Sequence, residues 1–204
     1  MNPAQTLWNN RFAAPGYLFG TEPNAFLAAQ AHRLRPGQRV LAVADGEGRN
    51  GTFLAKRGLD VLSVDFSDVA LAKARALAAD AKVALRTGIV DLATWDWEGA
   101  PWDVVVAIFI QFADPALRTR LFQRMQDSLA PGGLLLLAGY TPRQLEYKTG
   151  GPPQAEHLYT EAMLREAFAG LEILHLQEHD AEIDEGPGHR GMSALIDMVA
   201  RRPG

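Results

Sequence analysis

QRVLAVADGEGRNG, residues 38–51, is the stretch around which the chain is organised. Residues 40–44 are an apolar, partly β-branched run, with Pro36 and Gly37 before it and an acidic, glycine-rich turn after it. That pattern reads as a buried strand. The turn occupies 45–48, and residues 50–57 are the helix it feeds. A strand, a tight turn and a helix N-terminus in succession present free backbone N–H groups and the positive end of a helix dipole.

Gly46, Gly48 and Gly51 satisfy G-x-G-x-x-G, a pattern of dinucleotide-binding turns. A strand-to-helix turn that needs glycine only for positive φ satisfies it equally. Charge argues against a pyrophosphate. Asp45 and Glu47 flank the first glycine, and each like charge at about 4 Å costs on the order of 4 kcal/mol at intermediate dielectric. S-adenosylmethionine carries an ammonium and a sulfonium and no phosphate, so an acidic turn suits it better.

Composition bounds the rest. The chain has 204 residues, is 48% hydrophobic and carries a formal net charge of -4, which allows a full core in a single domain over 1–204. Within it, 1–34 reads as an N-terminal helical lid or cap, 38–139 as a cofactor-binding core and 140–204 as a substrate-side segment with a closing hairpin. Lysines and arginines do not cluster, so no nucleic-acid partner is expected. With no cysteine, disulfides, thiolate nucleophiles and cysteine metal sites are excluded. The N-terminus has no apolar leader and no stretch approaches a membrane span, so a cytoplasmic protein without a membrane partner is expected, as monomer or homodimer.

The chain opens with a helix over 4–12 and a glycine-punctuated aromatic segment, 15–20. Thr21 and Pro23 then start a helix over 24–33 by threonine capping. Trp8, Phe12, Tyr17 and Phe19 form either a lid over a ligand or a helical layer packed on the sheet edge. A second buried strand, 60–64, ends at Asp65, roughly seventeen residues beyond Gly48, near the ~20 expected for an acid that grips a ribose diol. The alternative is a cap for the helix over 68–80, although Ser67 or Asp68 can serve there. Phe66 covers an adenine or belongs to the core.

A third strand is read over 82–87, followed by Asp91 and Leu92. Asp91 either receives an adenine amino group or is a solvated loop acid. The fourth strand, 102–108, is apolar almost throughout, which implies burial on both faces and a parallel sheet covered by helices. A helix over 114–130 stops at Pro131-Gly132-Gly133, and a fifth strand follows over 134–138. After a helix near 160–169, strands over 171–178 and 192–201 flank a loop, 181–191. Strands alternating with helices define a doubly wound α/β sheet, with ligands beyond the carboxyl ends of its strands.

VLAVADGEGRNG, the acid in LSVDFS, GIVDL, DVVVAIFIQF and LAPGGLLLL together resemble the ordered motifs of class I S-adenosylmethionine-dependent methyltransferases, over about 38–138. The GEGRN turn makes the chain most similar to the small tellurite-resistance and thiopurine-type branch. The resemblance implies a Rossmann-like, mainly parallel seven-stranded sheet of order 3-2-1-4-5-7-6 with the last strand antiparallel and helices on both faces. It implies S-adenosyl-L-methionine as cofactor and S-adenosyl-L-homocysteine as product. Asp45, Gly46, Glu47, Gly48 and Asn50 would line the methionine end, Asp65 the ribose, and Phe66, Asp91 and Leu92 the adenine. Trp8, Phe12 and Tyr17 would close over the cofactor, and Ile108 would border it. Two positions depart from the family pattern: its strand acid is Ala42 here, and its first turn glycine is Ala44, with Asp45 following. Those departures put the backbone approach in question and leave the ammonium to Asp45.

On the acceptor side, Tyr140, Gln144, Glu146 and Tyr147 follow the fifth strand, and Glu182, Glu185, His189 and Arg190 lie in the late loop. Tyr140, Glu185 and His189 are the candidate catalytic bases. One histidine with two or three loop acids is a poor metal set, so no metal is expected. The reading is methyl transfer to a small-molecule acceptor, a thiol or a chalcogen oxyanion. Its alternatives are an S-adenosylmethionine-binding sensor without turnover and a nicotinamide oxidoreductase.

Overall fold

A computed structural model describes residues 3–97, 99 and 101–204. Strands β1 (Arg39–Val43), β2 (Asp60–Asp65), β3 (Arg86–Ile89), β4 (Trp102–Ile108), β5 (Leu129–Tyr140), β6 (Glu172–Asp184) and β7 (Arg190–Arg201) make a seven-stranded sheet of order β3-β2-β1-β4-β5-β7-β6. β2 pairs in parallel with β1 and β3, and β4 with β5, whereas β7 runs antiparallel to β5 and β6. This is the Rossmann-like order implied by the sequence motifs. The chain divides into two compact units, residues up to 95 with Glu185–Gly188, and 96–184 with His189–Gly204.

In the first unit, helices α1 (Pro3–Phe12), α2 (Ala25–Gln30), α3 (Arg49–Lys56) and α4 (Asp68–Asp80) accompany β1 to β3. Val40, Leu41, Val61, Val64, Leu54 and Leu71 are buried and supply its core. Two boundaries differ from the sequence expectation. Asn24, not Thr21, caps α2 by accepting the Leu27 N–H, and a 3-10 turn, Ala31–Arg33, follows the helix. The expected third strand begins four residues late. Lys82 takes φ of 57°, with Lys82 N–H donating to Ala79 O and Val83 N–H to Ala78 O, a Schellman stop of α4. Residues 82 and 83 therefore end a helix rather than start a strand.

In the second unit, Asp114 caps α5 (Pro115–Ser128) by accepting the Leu117 N–H, with proline in the first turn. Thr160 caps α7 (Glu161–Ala167) in the same way, and α6 (Gln144–Tyr147) is a single turn. Trp102, Met125, Leu129, Phe122, Tyr159 and Phe168 pack the interior. The segment 181–191, expected as a loop, is mostly ladder, because β6 and β7 stay paired out to Asp184 and Arg190. An exposed Arg190–Asp184 ion pair at 2.8 Å faces that last rung.

Candidate cofactor and acceptor site

The 44–48 turn leaves β1 through Ala44, whose φ of 48° is left-handed without glycine, at a cost of about 1–2 kcal/mol. Alanine at the family's glycine position thus keeps the turn conformation. Gly48 has φ of 80° and its added Cβ would lie 2.5 Å from the Ala74 Cβ on α4. An added Cβ at Gly51 would lie 2.5 Å from Asp45 Oδ2. Conformation and close packing therefore account for these two glycines of the pattern.

The turn's polar groups are arranged around two carboxylates. Gly46 N–H donates to Asp65 Oδ2 at 3.0 Å and Ser67 N–H to Asp65 Oδ1 at 2.9 Å. Burial pushes the Asp65 pKa up, against the lowering effect of the Ser67, Gly46 and Phe66 backbone N–H groups. Ser67 itself caps α4, so Asp65 is not needed as the helix cap. Asp45 Oδ2 lies inward, accepting Ser63 Oγ–H at 2.8 Å and Gly51 N–H at 3.1 Å. Burial raises its pKa to about 7; those two donors and Arg49 lower it, and Asp65 raises it.

Glu47 and Asn50 are engaged by the protein. Glu47 is 3% exposed, pairs with Lys73 Nζ at 2.9 Å and accepts Leu18 N–H at 2.7 Å. Arg49 pairs with Glu185 at 2.6 Å, and Asn50 Oδ1 accepts Asn24 N–H at 2.9 Å. Glu185, expected as a candidate base, is thus committed to Arg49 and also accepts Asn24 Nδ2 at 3.0 Å. Each nearby cation has its own glutamate. Among the described residues Asp45 and Asp65 are the turn's acids without an ion pair, which fits a cationic ligand and opposes a pyrophosphate.

The N-terminal segment is packed onto this turn. Trp8 stacks on Phe12 at 5.4 Å, with Phe19 6.2 Å from Phe12, and Phe12 is buried. The Phe12 ring lies 3.5 Å from where a Gly46 Cβ would be. Gln5 donates to the Phe66 carbonyl at 2.7 Å, and Lys73 Nζ reaches the Ala14 and Gly16 carbonyls at 2.8 and 2.6 Å. Tyr17 lies beside Lys73, its ring centroid 5.9 Å from Nζ. Leu92 is buried, while Asp91 is exposed and holds its own loop through Ala93 N–H at 2.9 Å.

In the second unit Ile108 ends β4, buried, and Phe109 follows with φ of 56°. Phe109 lies 4.7 Å from the Tyr140 ring and 4.6 Å from His189, which is edge-on to both. Tyr140 and His189, two of the candidate bases, are therefore brought together, 5.8 Å between centroids. Gln111 holds the backbone of Tyr140, accepting its N–H at 2.6 Å and donating to its carbonyl at 2.8 Å. Gln144 is buried and accepts Ala194 N–H at 2.8 Å, and Tyr147 donates to Asp180 at 2.9 Å. Glu146 and Glu182 are exposed. Among the described residues no group of three or more histidines and acids is placed to hold a metal.

The contacts of Ser63, Lys73, Arg49 and Gln111 are not legible in the sequence, although 109–112 are expected to border the ligand crevice. Their roles are contacts between distant segments, and Gln111 within DVVVAIFIQF carried the only local signal, a polar residue closing an apolar run.

A seven-stranded sheet of this order, with an acid ending β2 beside a glycine turn, defines the class I methyltransferase fold. Residues 40–133 match the family described as Methyltransferase domain, and over this part the chain is similar to that family. The chain is 34% identical over 170 residues to ribosomal protein L11 methyltransferase of Thermus thermophilus, covering 80% of this chain and 58% of that protein. Protein-L-isoaspartate O-methyltransferase of Methylorubrum populi is 33% identical, with 62% of each covered. The chain thus spans about three fifths of the length of these curated relatives. Among solved structures it is similar to N-methyltransferase NodS from Bradyrhizobium japonicum in complex with S-adenosyl-L-homocysteine, with TM-score 0.75, 12% identity and 100% of both chains covered. TehB from Haemophilus influenzae matches with TM-score 0.71 and 21% identity, over 88% of this chain and 62% of that one.

Proposed function

We propose that the chain is an S-adenosylmethionine-dependent methyltransferase acting on a small-molecule acceptor with a soft nucleophile, a thiol or a chalcogen oxyanion. The observation that carries this reading is the 44–48 turn, whose nearby cations Arg49 and Lys73 are paired with Glu185 and Glu47, which leaves the carboxyls of Asp45 and Asp65 to face a cationic ligand. Asp65 would hold the ribose hydroxyls, the turn's backbone the methionine end, Phe66 and Leu92 the adenine, and Trp8 and Phe12 the cover. When bound, S-adenosylmethionine supplies an electrophilic methyl on its sulfonium. The chain's own contribution is positioning, which supplies up to about 7–11 kcal/mol of a bimolecular barrier.

A soft acceptor is supported by the aromatic cluster of Phe109, Tyr140 and His189. Relatives do not decide it, since one is named for a ribosomal protein and a solved structure for magnesium protoporphyrin IX. Aromatic side chains suit a polarisable nucleophile, and a thiol with pKa near 8.5 supplies its own thiolate at neutral pH. A phenol or amine acceptor would call on His189 as base. The test has two stages. Titration with S-adenosylmethionine, S-adenosylhomocysteine, NAD and NADP should show binding of the first two only. Mass-spectrometric detection of S-adenosylhomocysteine with thiols, chalcogen oxyanions, phenols, amines and carboxylates should then show turnover on the first two classes. Binding without turnover on any class leaves a sensor, and binding of NAD alone overturns the proposal.

A further inference from the structure

We infer that Asp45 is a residue by which this site distinguishes S-adenosylmethionine from S-adenosylhomocysteine, its ionised carboxylate favouring the sulfonium form. The inference rests on the cofactor assignment above and goes beyond it. The two ligands share every hydrogen-bonding group and differ by one methyl and one positive charge, so their discrimination is a matter of electrostatics. In the turn that would take the methionine end, two carboxylates bracket Gly46: Asp45 precedes it, and Asp65 accepts its N–H at 3.0 Å. Asp65 is aligned by backbone donors and assigned to ribose hydroxyls, which are identical in both ligands. Asp45 makes no ion pair among the described residues; its Oδ2 has a hydroxyl and one backbone N–H. A charge held in that way acts on any cation that enters the turn.

The surroundings fix how the carboxyl responds. From β2, Ser63 donates to it and Asp65 opposes its ionisation; from α3, Gly51 N–H donates and Arg49 favours ionisation, with Glu185 neutralising Arg49. Within the turn itself Glu47 is neutralised by Lys73 of α4. Burial places the titration of Asp45 at about 7. A cation bound beside it shifts protons off the carboxyl, so binding of the sulfonium form strengthens as pH rises, whereas the product, with no net charge, gains less.

Isothermal titration of the full chain with each ligand between about pH 6 and pH 8.5 tests this, and the affinity ratio should rise about tenfold over that interval. Asp45→Asn keeps an acceptor for both donors and should flatten the ratio. Ser63→Ala removes a donor to the ionised form and should move the midpoint to higher pH. Equal pH responses of the two ligands, or a ratio that still rises in Asp45→Asn, overturn the inference while leaving the function intact. Failure of both ligands to bind at every pH overturns the cofactor assignment and this inference with it.

Discussion

Glu185→Ala is the perturbation whose cost is best defined by the structure. The carboxylate meets Arg49 Nη2 at 2.6 Å, with side-chain exposures of 11% and 7% for the pair, and also accepts from Asn24 Nδ2 at 3.0 Å. Both ions are nearly removed from water, so truncating one leaves a buried guanidinium without its counter-ion, at about 3–5 kcal/mol. Against a total stability of about 5–15 kcal/mol that is a severe loss. Urea unfolding followed by tryptophan fluorescence reads it: with m of about 2 kcal/mol per molar, the midpoint should fall by about 2 M at constant m. Replacing both partners, Glu185→Leu with Arg49→Met, should recover most of the stability, because no charge is left buried. A loss below about 1 kcal/mol in the single variant is the value of an exposed pair, and it would refute the clasp between the hairpin tip and α3.

Three further outcomes are expected. Burial raises the Asp45 pKa to about 7 from about 3.9 in an unfolded chain, so its contribution to stability is fully present below about pH 4 and is lost as pH rises through 7; Asp45→Asn should therefore gain on the wild type by up to about 4 kcal/mol in denaturation at pH 8, and a constant difference across that range would contradict the burial. Gly48→Ala should destabilise by about 2 kcal/mol or more in thermal unfolding, since its φ is 80° and its Cβ would meet Ala74 at 2.5 Å; a neutral outcome would mean the turn is not held against α4. Lys73→Met should speed amide exchange over 12–20 while α4 stays protected, because Lys73 ties Glu47 to the Ala14 and Gly16 carbonyls; unchanged exchange would place the segment's anchoring in Phe12 and in the Leu18 N–H bond to Glu47.

The turn and the strands around it were legible because each is coded locally. An apolar run followed by glycines and acids fixes β1 and its helix, and VDFS announces a strand end and a cap within four residues. The start of β3 was not legible, because Lys82 stops α4 through a left-handed backbone that no side-chain preference signals. The β6–β7 hairpin is longer than its sequence suggests, since AEID, 181–184, reads as loop although its alternation is what a half-exposed strand requires. The site's acids were found by type and misjudged by partner. Glu185 pairs with a residue 136 positions away, and no spacing rule reaches that far. The N-terminal aromatics are open between cover and packing in the sequence; the structure buries Phe12 and sets its ring beside Gly46.

The sheet ends on two strands of unequal length, β3 with 4 residues and β6 with 13. A free strand edge is a row of unsatisfied peptide groups, and any extended chain that meets it is a template match. β3 offers too short a row to hold a visitor. β6 offers a long one, but Glu178, Asp180, Glu182 and Asp184 recur along it at every second position; Asp180 and Asp184 are paired with Arg143 and Arg190, and a second copy laid against the strand in solution meets the negative charge of Glu178 and Glu182. Concentrated samples should therefore tolerate neutral pH and low salt, and lose that protection in acid, where the carboxylates discharge and the edge becomes adhesive.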